Sequence, residues 1–129
     1  MKVLIDNVNL DSNSGRNGFA GKIIKPLGKL GVDVSCVLDK NFLPDIQLSF
    51  IMSHYKFAPI VQRLDGIYFN SEQDFESLNG PIKATYIDAE SVIFQSEFNK
   101  KLTEHWFGKK ESNFVIHNGT CLERIKEIN

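Results

Sequence analysis

Short apolar runs rich in β-branched and aromatic residues recur along the chain, with turn residues and helical patterns between most of them. This alternation is typical of βα units and a mainly parallel sheet. It predicts about six strands, at residues 2–6, 32–38, 46–52, 60–64, 92–95 and 114–117. We therefore expect a three-layer, Rossmann-like α/β domain with strand order 3-2-1-4-5-6 and a ligand crevice between strands one and four.

Helical patterns separate several of these runs. Apolar residues at every third or fourth position over 19–30 predict a first helix that Gly31 ends. Pro26 lies inside that pattern and is expected to kink the helix. The segment 79–81, Asn-Gly-Pro, predicts the start of a second helix. Residues 38–59 have little helical pattern, so at least one crossover there is expected to be short or irregular.

The third helix has the most consistent end signals. Ser96 is expected to cap its N-terminus and Gly108 to end it. Phe98, Leu102 and Trp106 are spaced to form its buried stripe.

Composition and charge describe one soluble domain that spans residues 1–129, with 42% hydrophobic and 24% charged residues. Fifteen basic and 16 acidic side chains leave a net charge of -1, which does not favour nucleic acid or anionic membranes as partners. No apolar stretch of about 18 residues and no signal peptide occurs, so we expect a cytoplasmic protein without a membrane span. Cys36 and Cys121 have no motif spacing and are expected to be reduced thiols.

The predicted loop at 11–18 follows the first strand and opens the first helix, where backbone N–H groups can receive a phosphate. Its candidate contacts are Gly15, Arg16, Asn17 and Gly18. The spacing matches neither G-x-G-x-x-G nor a P-loop, so no NAD or ATP site and no cofactor is expected. A flexible loop whose glycines only permit turns is an equally good interpretation of its position.

Polar residues also follow the predicted third and fourth strands. Asp65 would face the crevice, where a carboxylate accepts hydrogen bonds from sugar hydroxyls or acts as a general base. The alternative is a plain Asp-Gly turn with Gly66. His54 can donate to a hydroxyl or phosphate, although a lone histidine is often only a surface residue. Ser96 and Glu97 lie at another strand end, where helix capping explains both.

Several other site classes are not supported. The three histidines lack metal-ligand spacing, so no metal site is expected. A Gly-x-Ser-x-Gly nucleophile turn is absent, which argues against a Ser-His-Asp hydrolase. A receiver domain would place a lone aspartate after its third strand, where this chain has Ser53 and His54. A small flavodoxin-like mononucleotide binder that uses the first loop remains an alternative.

Three motifs follow one another along the chain, PIVQRLDGIY at 59–68, VIFQSEF at 92–98 and VIHNG at 115–119. Together with the glycine loop at 15–18 and the amphipathic helix after it, they resemble the N-terminal half of GT-B glycosyltransferases of the family 4 (group 1) type. The resemblance covers nearly the whole chain.

The resemblance implies a Rossmann-like half that mainly holds the acceptor and faces a second half that grips a nucleotide-sugar donor. That donor-binding half is expected to be absent from this chain, which would be inactive without it. The protein partner expected is a separate donor-binding domain or, as a homo-oligomer, further copies of the chain. The family implies that the glycine loop approaches the donor diphosphate, and that Asp65 and His54 line the acceptor side as catalytic candidates. Further substrate-binding candidates within the motifs are Arg63, Gly66, Ser96, Glu97 and Asn118. The alternative function is a non-catalytic module that binds a glycan, a nucleotide or a protein.

Overall fold

A computed structural model of the protein describes residues 1–7, 15–37, 41–67 and 75–117. These residues form β1 (Lys2–Asp6), α1 (Gly15–Lys29), β2 (Asp33–Ser35), β3 (Ile46–Phe50), β4 (Ile60–Leu64), α2 (Phe75–Asp88), β5 (Ser91–Phe94), α3 (Glu97–Phe107) and β6 (Asn113–Val115). The six strands pair in parallel in one sheet of order β2-β1-β3-β4-β5-β6. The predicted α/β class with a six-stranded parallel sheet is therefore confirmed.

The predicted strand order is wrong at one place. β3 lies beside β1 on the side opposite β2, instead of outside β2. The reason is burial, because Gln47, Ser49 and Phe50 of β3 are inaccessible to solvent, which requires an inner strand covered on both faces. The chain thus changes direction along the sheet between β1 and β3, and the crevice is flanked by these two strands rather than by strands one and four.

Helices cover both faces of the sheet. α1 packs against the face that carries Val3, Ile5 and Phe50. Residues of α2 and α3 pack against the opposite face, which carries Leu64 and Phe94. The β1–α1–β2 unit and the units from β4 to β6 run in opposite directions along the sheet, so right-handed crossovers place their helices on opposite faces. The helix N-termini consequently lie at the same edge as the carboxyl ends of the strands.

α1 ends as predicted. Gly31 has φ +83°, its N–H donates to Gly28 O, and Val32 N donates to Leu27 O, which is the Schellman pattern. The helix continues through Pro26 without ending there. It begins at Gly15, so residues 15–18 form its first turn and not the predicted loop. Residues 11–14 of that loop lie outside the described ranges.

α2 begins at Phe75, so the predicted start at 79–81 is wrong. Pro81 lies inside the helix with its ring exposed to solvent. An interior proline costs about 3 kcal/mol because it removes one backbone hydrogen bond. Burial of Ile82 and Tyr86 on the inner face of the same helix offsets that cost, since each buried large side chain contributes about 1.5–3 kcal/mol.

The ends of α3 are confirmed, but its predicted buried stripe is correct only for Leu102, which packs against the core, and wrong for Phe98 and Trp106. Ser96 Oγ accepts a hydrogen bond from Asn99 N at 3.1 Å, and Gly108 ends the helix with φ +91°. Phe98 is 70% exposed, and the buried residues of the helix are Asn99 and Thr103.

A buried hydrogen bond explains this orientation of α3. Asn99 Nδ2 donates to Leu64 O at 2.7 Å, and Thr103 Oγ1 donates to Asn99 Oδ1 at 3.3 Å. The helix is therefore rotated so that these polar groups face the end of β4, while Leu102 and Phe107 are partly buried beside them. Trp106 is 45% exposed.

The crossover 51–59 from β3 to β4 contains no helix, which confirms the expected irregular connection. Parallel strands usually need about a dozen connecting residues. Two inaccessible glutamines of the sheet satisfy the backbone of this short crossover. Gln47 accepts from Phe57 N at 2.8 Å and donates to Tyr55 O at 2.8 Å, and Gln62 donates to Ile51 O at 2.7 Å.

Candidate functional site

The crevice at the carboxyl ends of β1 and β3 is the place where open α/β sheets bind ligands. Asn7 follows β1 with φ +62°, and Ile51 follows β3 with φ +71°. Within the described ranges these are the two non-glycine residues with positive φ. Backbone of this kind costs energy and concentrates at functional sites. Its presence at both strand ends marks this edge of the sheet as the candidate site.

Ile51 lies at the centre of a γ-turn. Met52 N donates to Phe50 O at 2.8 Å across it, which is the hydrogen bond that defines such a turn. Asn7 Nδ2 donates to the same carbonyl at 2.6 Å. The left-handed conformation costs about 1–2 kcal/mol for a residue with a Cβ atom. The side chain of Asn7 therefore connects the two strand ends and helps to hold the turn in place.

Asp6, the last residue of β1, has a carboxylate occupied by internal hydrogen bonds. Its Oδ1 accepts from Asn7 N at 2.8 Å. Its Oδ2 lies 2.5 Å from Ser53 Oγ and 3.0 Å from Gln47 Nε2. A carboxylate with both oxygens in use holds the crossover against the sheet. The sequence indicates that Asp6 ends the first strand, because an apolar run precedes it. The role of its carboxylate in holding the crossover was not predicted from the sequence.

Asp65 and Arg63 form an ion pair at the end of β4, one strand away from the crevice. Arg63 Nη1 lies 2.5 Å from Asp65 Oδ1, and the side chains are 4% and 39% exposed. The guanidinium also lies 5.6 Å from the centre of the Phe50 ring. Gly66 follows, with open space where a Cβ atom would lie. The pair thus presents a partly exposed carboxylate whose direction is set by a buried cation.

Some of the other residues singled out in the sequence motifs also lie at the carboxyl edge of the sheet. Ser96 is used as the cap of α3, and Glu97 is exposed in its first turn. Gly15 to Gly18 form the backbone of the first turn of α1, so a helix N-terminus points toward this edge, as do those of α2 and α3. Asn118 lies outside the described residues.

His54 is placed on the crossover and not beside Asp65. It is exposed and lines a surface cavity of about 300 Å³ between the crossover and the last turn of α2, where Tyr55, Lys56 and Asp88 are its neighbours. Asp65 does not line this cavity. The two residues proposed as catalytic from the sequence therefore belong to different parts of the surface.

Another cavity lies at the opposite, amino edge of the sheet. It measures about 580 Å³ and is lined by residues that include Glu90, Lys110 and Phe114. Lys110 Nζ donates there to the carbonyl oxygens of Tyr86 and Ile87, at 2.7 and 3.3 Å. This charge therefore satisfies the C-terminal end of α2, which is a structural role. Among the described residues, no group of three or more His, Cys, Asp or Glu side chains could hold a metal ion.

No protein-family model and no curated protein matches the chain. Within the described ranges, no helix is both long and apolar enough to cross a membrane.

Proposed function

We propose that this domain is the acceptor-side half of a glycosyltransferase of the GT-B family 4 type that its motifs resemble. In this proposal a nucleotide-sugar is the donor, a sugar or glycan is the acceptor, and a donor-binding half is required for transfer. The main support is the Arg63–Asp65 pair, which directs a 39% exposed carboxylate out of the carboxyl edge of the sheet. Ionised carboxylates are strong acceptors for hydroxyl donors, and sugars are rich in hydroxyl groups.

The proposed chemistry assigns Asp65 to the acceptor hydroxyl. Its carboxylate accepts the hydrogen bond of that hydroxyl and takes its proton as the hydroxyl oxygen bonds to the anomeric carbon of the donor sugar. The bond from that carbon to the diphosphate breaks, and the nucleoside diphosphate leaves with the electron pair. Arg63 is a positioning residue in this scheme, because its guanidinium is buried and reaches the reaction only through Asp65.

The first test is an amide NMR titration of the isotopically labelled chain with UDP-glucose and GDP-mannose. We expect shifts at Gly15, Gly18, Asp65 and Gly66, and none at Ser112 on the amino edge. The variant Asp65→Asn should leave the shifts at Gly15 and Gly18 unchanged, because Asp65 is assigned to the acceptor hydroxyl and not to the donor, and it should abolish sugar transfer once a donor-binding domain is added.

The matched control is Asp33→Asn, which makes the same change at an exposed position at the start of β2. With the donor-binding domain added, it should support sugar transfer as the unchanged protein does. Absence of shifts with both nucleotide-sugars, or shifts confined to the amino edge, would contradict the proposal.

A second candidate function is a non-catalytic module that binds a protein partner at this edge. Phe98 favours it, because this ring lies in the first turn of α3 and is 70% exposed. Exposed aromatic side chains are enriched in protein interfaces. The variant Asp65→Asn distinguishes the two functions. In a glycosyltransferase half it abolishes sugar transfer by the mixture with a donor-binding domain, whereas in a protein-binding module it leaves binding of the partner unchanged.

A further inference from the structure

Two aromatic rings stand exposed side by side on the crossover 51–59. Tyr55 is 72% exposed and Phe57 is 47% exposed. Their ring centres are 6.1 Å apart, and the ring planes are inclined by 35°. Burying such rings would contribute to folding, so their exposure on a short connection requires another explanation.

The backbone that carries these rings is held rigidly. The inaccessible side chain of Gln47 donates to Tyr55 O and accepts from Phe57 N, both at 2.8 Å, so a single amide fixes the chain on both sides of Lys56. Ser53 N donates to Thr85 Oγ1 at 3.0 Å, which ties the start of the same segment to α2. Rings on a fixed backbone lose little conformational freedom when a ligand binds, and this favours binding.

Polar groups surround the space next to Tyr55. The cavity of about 300 Å³ is lined by Tyr55, His54, Lys56 and Asp88. Lys56 Nζ and Asp88 Oδ1 are 3.4 Å apart, and their side chains are 43% and 55% exposed. The cavity therefore offers a charged donor, a charged acceptor and an imidazole beside an aromatic face. Apolar surface with a few convergent polar groups is the usual composition of a small-molecule site.

We propose that Tyr55 and Phe57 form a stacking surface for a pyranose ring, with Lys56 and Asp88 hydrogen-bonded to its hydroxyls. A pyranose has this dual character, because one face presents C–H groups while its hydroxyls project around the rim. This site rests on the proposed function, in which the acceptor is a sugar or glycan. It adds that one sugar unit of that acceptor binds to Tyr55 and Phe57. It also gives His54 a place in acceptor binding rather than in catalysis.

The test is saturation-transfer NMR with methyl β-D-glucopyranoside, methyl α-D-mannopyranoside and maltose. We expect transfer to the sugar C–H protons and amide shifts at Tyr55, Lys56 and Asp88. The variants Tyr55→Leu and Phe57→Leu remove a ring but keep an apolar side chain, and each should raise the Kd about two- to tenfold through the loss of stacking. Phe114→Leu is the matched control, since it removes an exposed ring from β6 and should leave the Kd unchanged.

Three results would overturn the subsite. The first is that none of the three sugars shows saturation transfer, and the second is that neither ring substitution changes the Kd. The third is that the amide shift of Tyr55 depends on protein concentration in the absence of sugar, which would assign the two rings to self-association. The outcome is separable from that of the proposed function. Nucleotide-sugar shifts at Asp65 without pyranoside shifts at Tyr55 overturn the subsite alone, and the reverse pattern contradicts the proposed function alone.

Discussion

Single buried amides determine much of the local structure near the candidate site. Gln47 and Gln62 lie on β3 and β4 at positions inaccessible to solvent, and Asn99 is buried on α3. Each donates to a backbone carbonyl of another segment, which offsets part of the cost of its burial, although the buried Gln62 Oε1 has no hydrogen-bond partner among the described residues. Sequence patterns treat glutamine and asparagine as polar surface residues, because their partners are distant in the chain. These residues were consequently missed.

Asn7 allows a direct test of left-handed backbone at the crevice. Replacing it by Gly or by Ala removes the same side-chain contacts, but only Gly adopts φ +62° without steric cost. We expect Asn7→Gly to be more stable than Asn7→Ala by about 1 kcal/mol in urea denaturation. As a control, Ala84→Gly at an exposed position within α2 should be less stable than the unchanged protein by about 0.5–1 kcal/mol, because glycine is disfavoured inside a helix. Equal stability of the two variants at position 7 would contradict the assigned strain.

At the scale of elements, α2 and α3 are joined through one tyrosine. Tyr86 on α2 donates from its hydroxyl to Gly108 O at 2.7 Å, just after the end of α3. Its ring meets Phe107 edge-on, with centres 5.4 Å apart. Burial, with a smaller contribution from the charge of Glu104, raises the pKa of Tyr86 to about 12. The contact between the two helices thus depends on a phenol that keeps its proton.

This shift in pKa predicts how stability changes with pH. In the unfolded chain the phenol ionises near its ordinary pKa of 10, whereas in the folded protein it does so at about 12. The stability from Tyr86 is therefore complete below pH 10 and is lost as pH rises from 10 to about 12. Urea midpoints across that range should fall less for Tyr86→Phe than for the unchanged protein. Tyr55→Phe, an exposed control, should follow the unchanged protein, and identical profiles for all three would contradict the assignment.

At the scale of the whole molecule, two apolar clusters lie on opposite faces of one sheet. Phe50 belongs to the cluster beneath α1, and Phe94 belongs to the cluster beneath α2 and α3. β3 and β4 are hydrogen-bonded neighbours, so backbone pairing connects the strands that carry both clusters. The described part of the chain should therefore unfold as one cooperative unit.

Phenylalanine truncation tests this cooperativity. Phe50→Ala and Phe94→Ala should each cost about 3–5 kcal/mol of unfolding free energy, because both side chains are fully buried. Fluorescence of Trp106 and far-ultraviolet circular dichroism should give the same midpoint for each variant. Phe98→Ala, which removes an exposed ring, should change stability by no more than about 0.5 kcal/mol. Separate midpoints for Phe50→Ala would show that the two faces unfold independently.

The candidate site was predictable only in part. Asp65 could be placed at a carboxyl strand end because the β-branched pair Ile60 and Val61 begins a predicted strand that matches β4. Its partner Arg63 is two residues away, yet burial of that guanidinium against Phe50 depends on the pairing of β3 with β4. His54 was expected in the same crevice, but the crossover carries it to a separate cavity.

The sequence by itself determined the α/β class, the approximate positions of the strands, the C-terminal end of α1 and both ends of α3, because these depend on local periodicity and on capping residues such as Ser96 and Gly31. The tertiary structure decided the place of β3 beside β1, the rotation of α3 and the separation of His54 from Asp65. These features depend on hydrogen bonds between residues far apart in the chain, such as Gln47 with Asp6 and Asn99 with Leu64. Their energy exists only once the strands have paired.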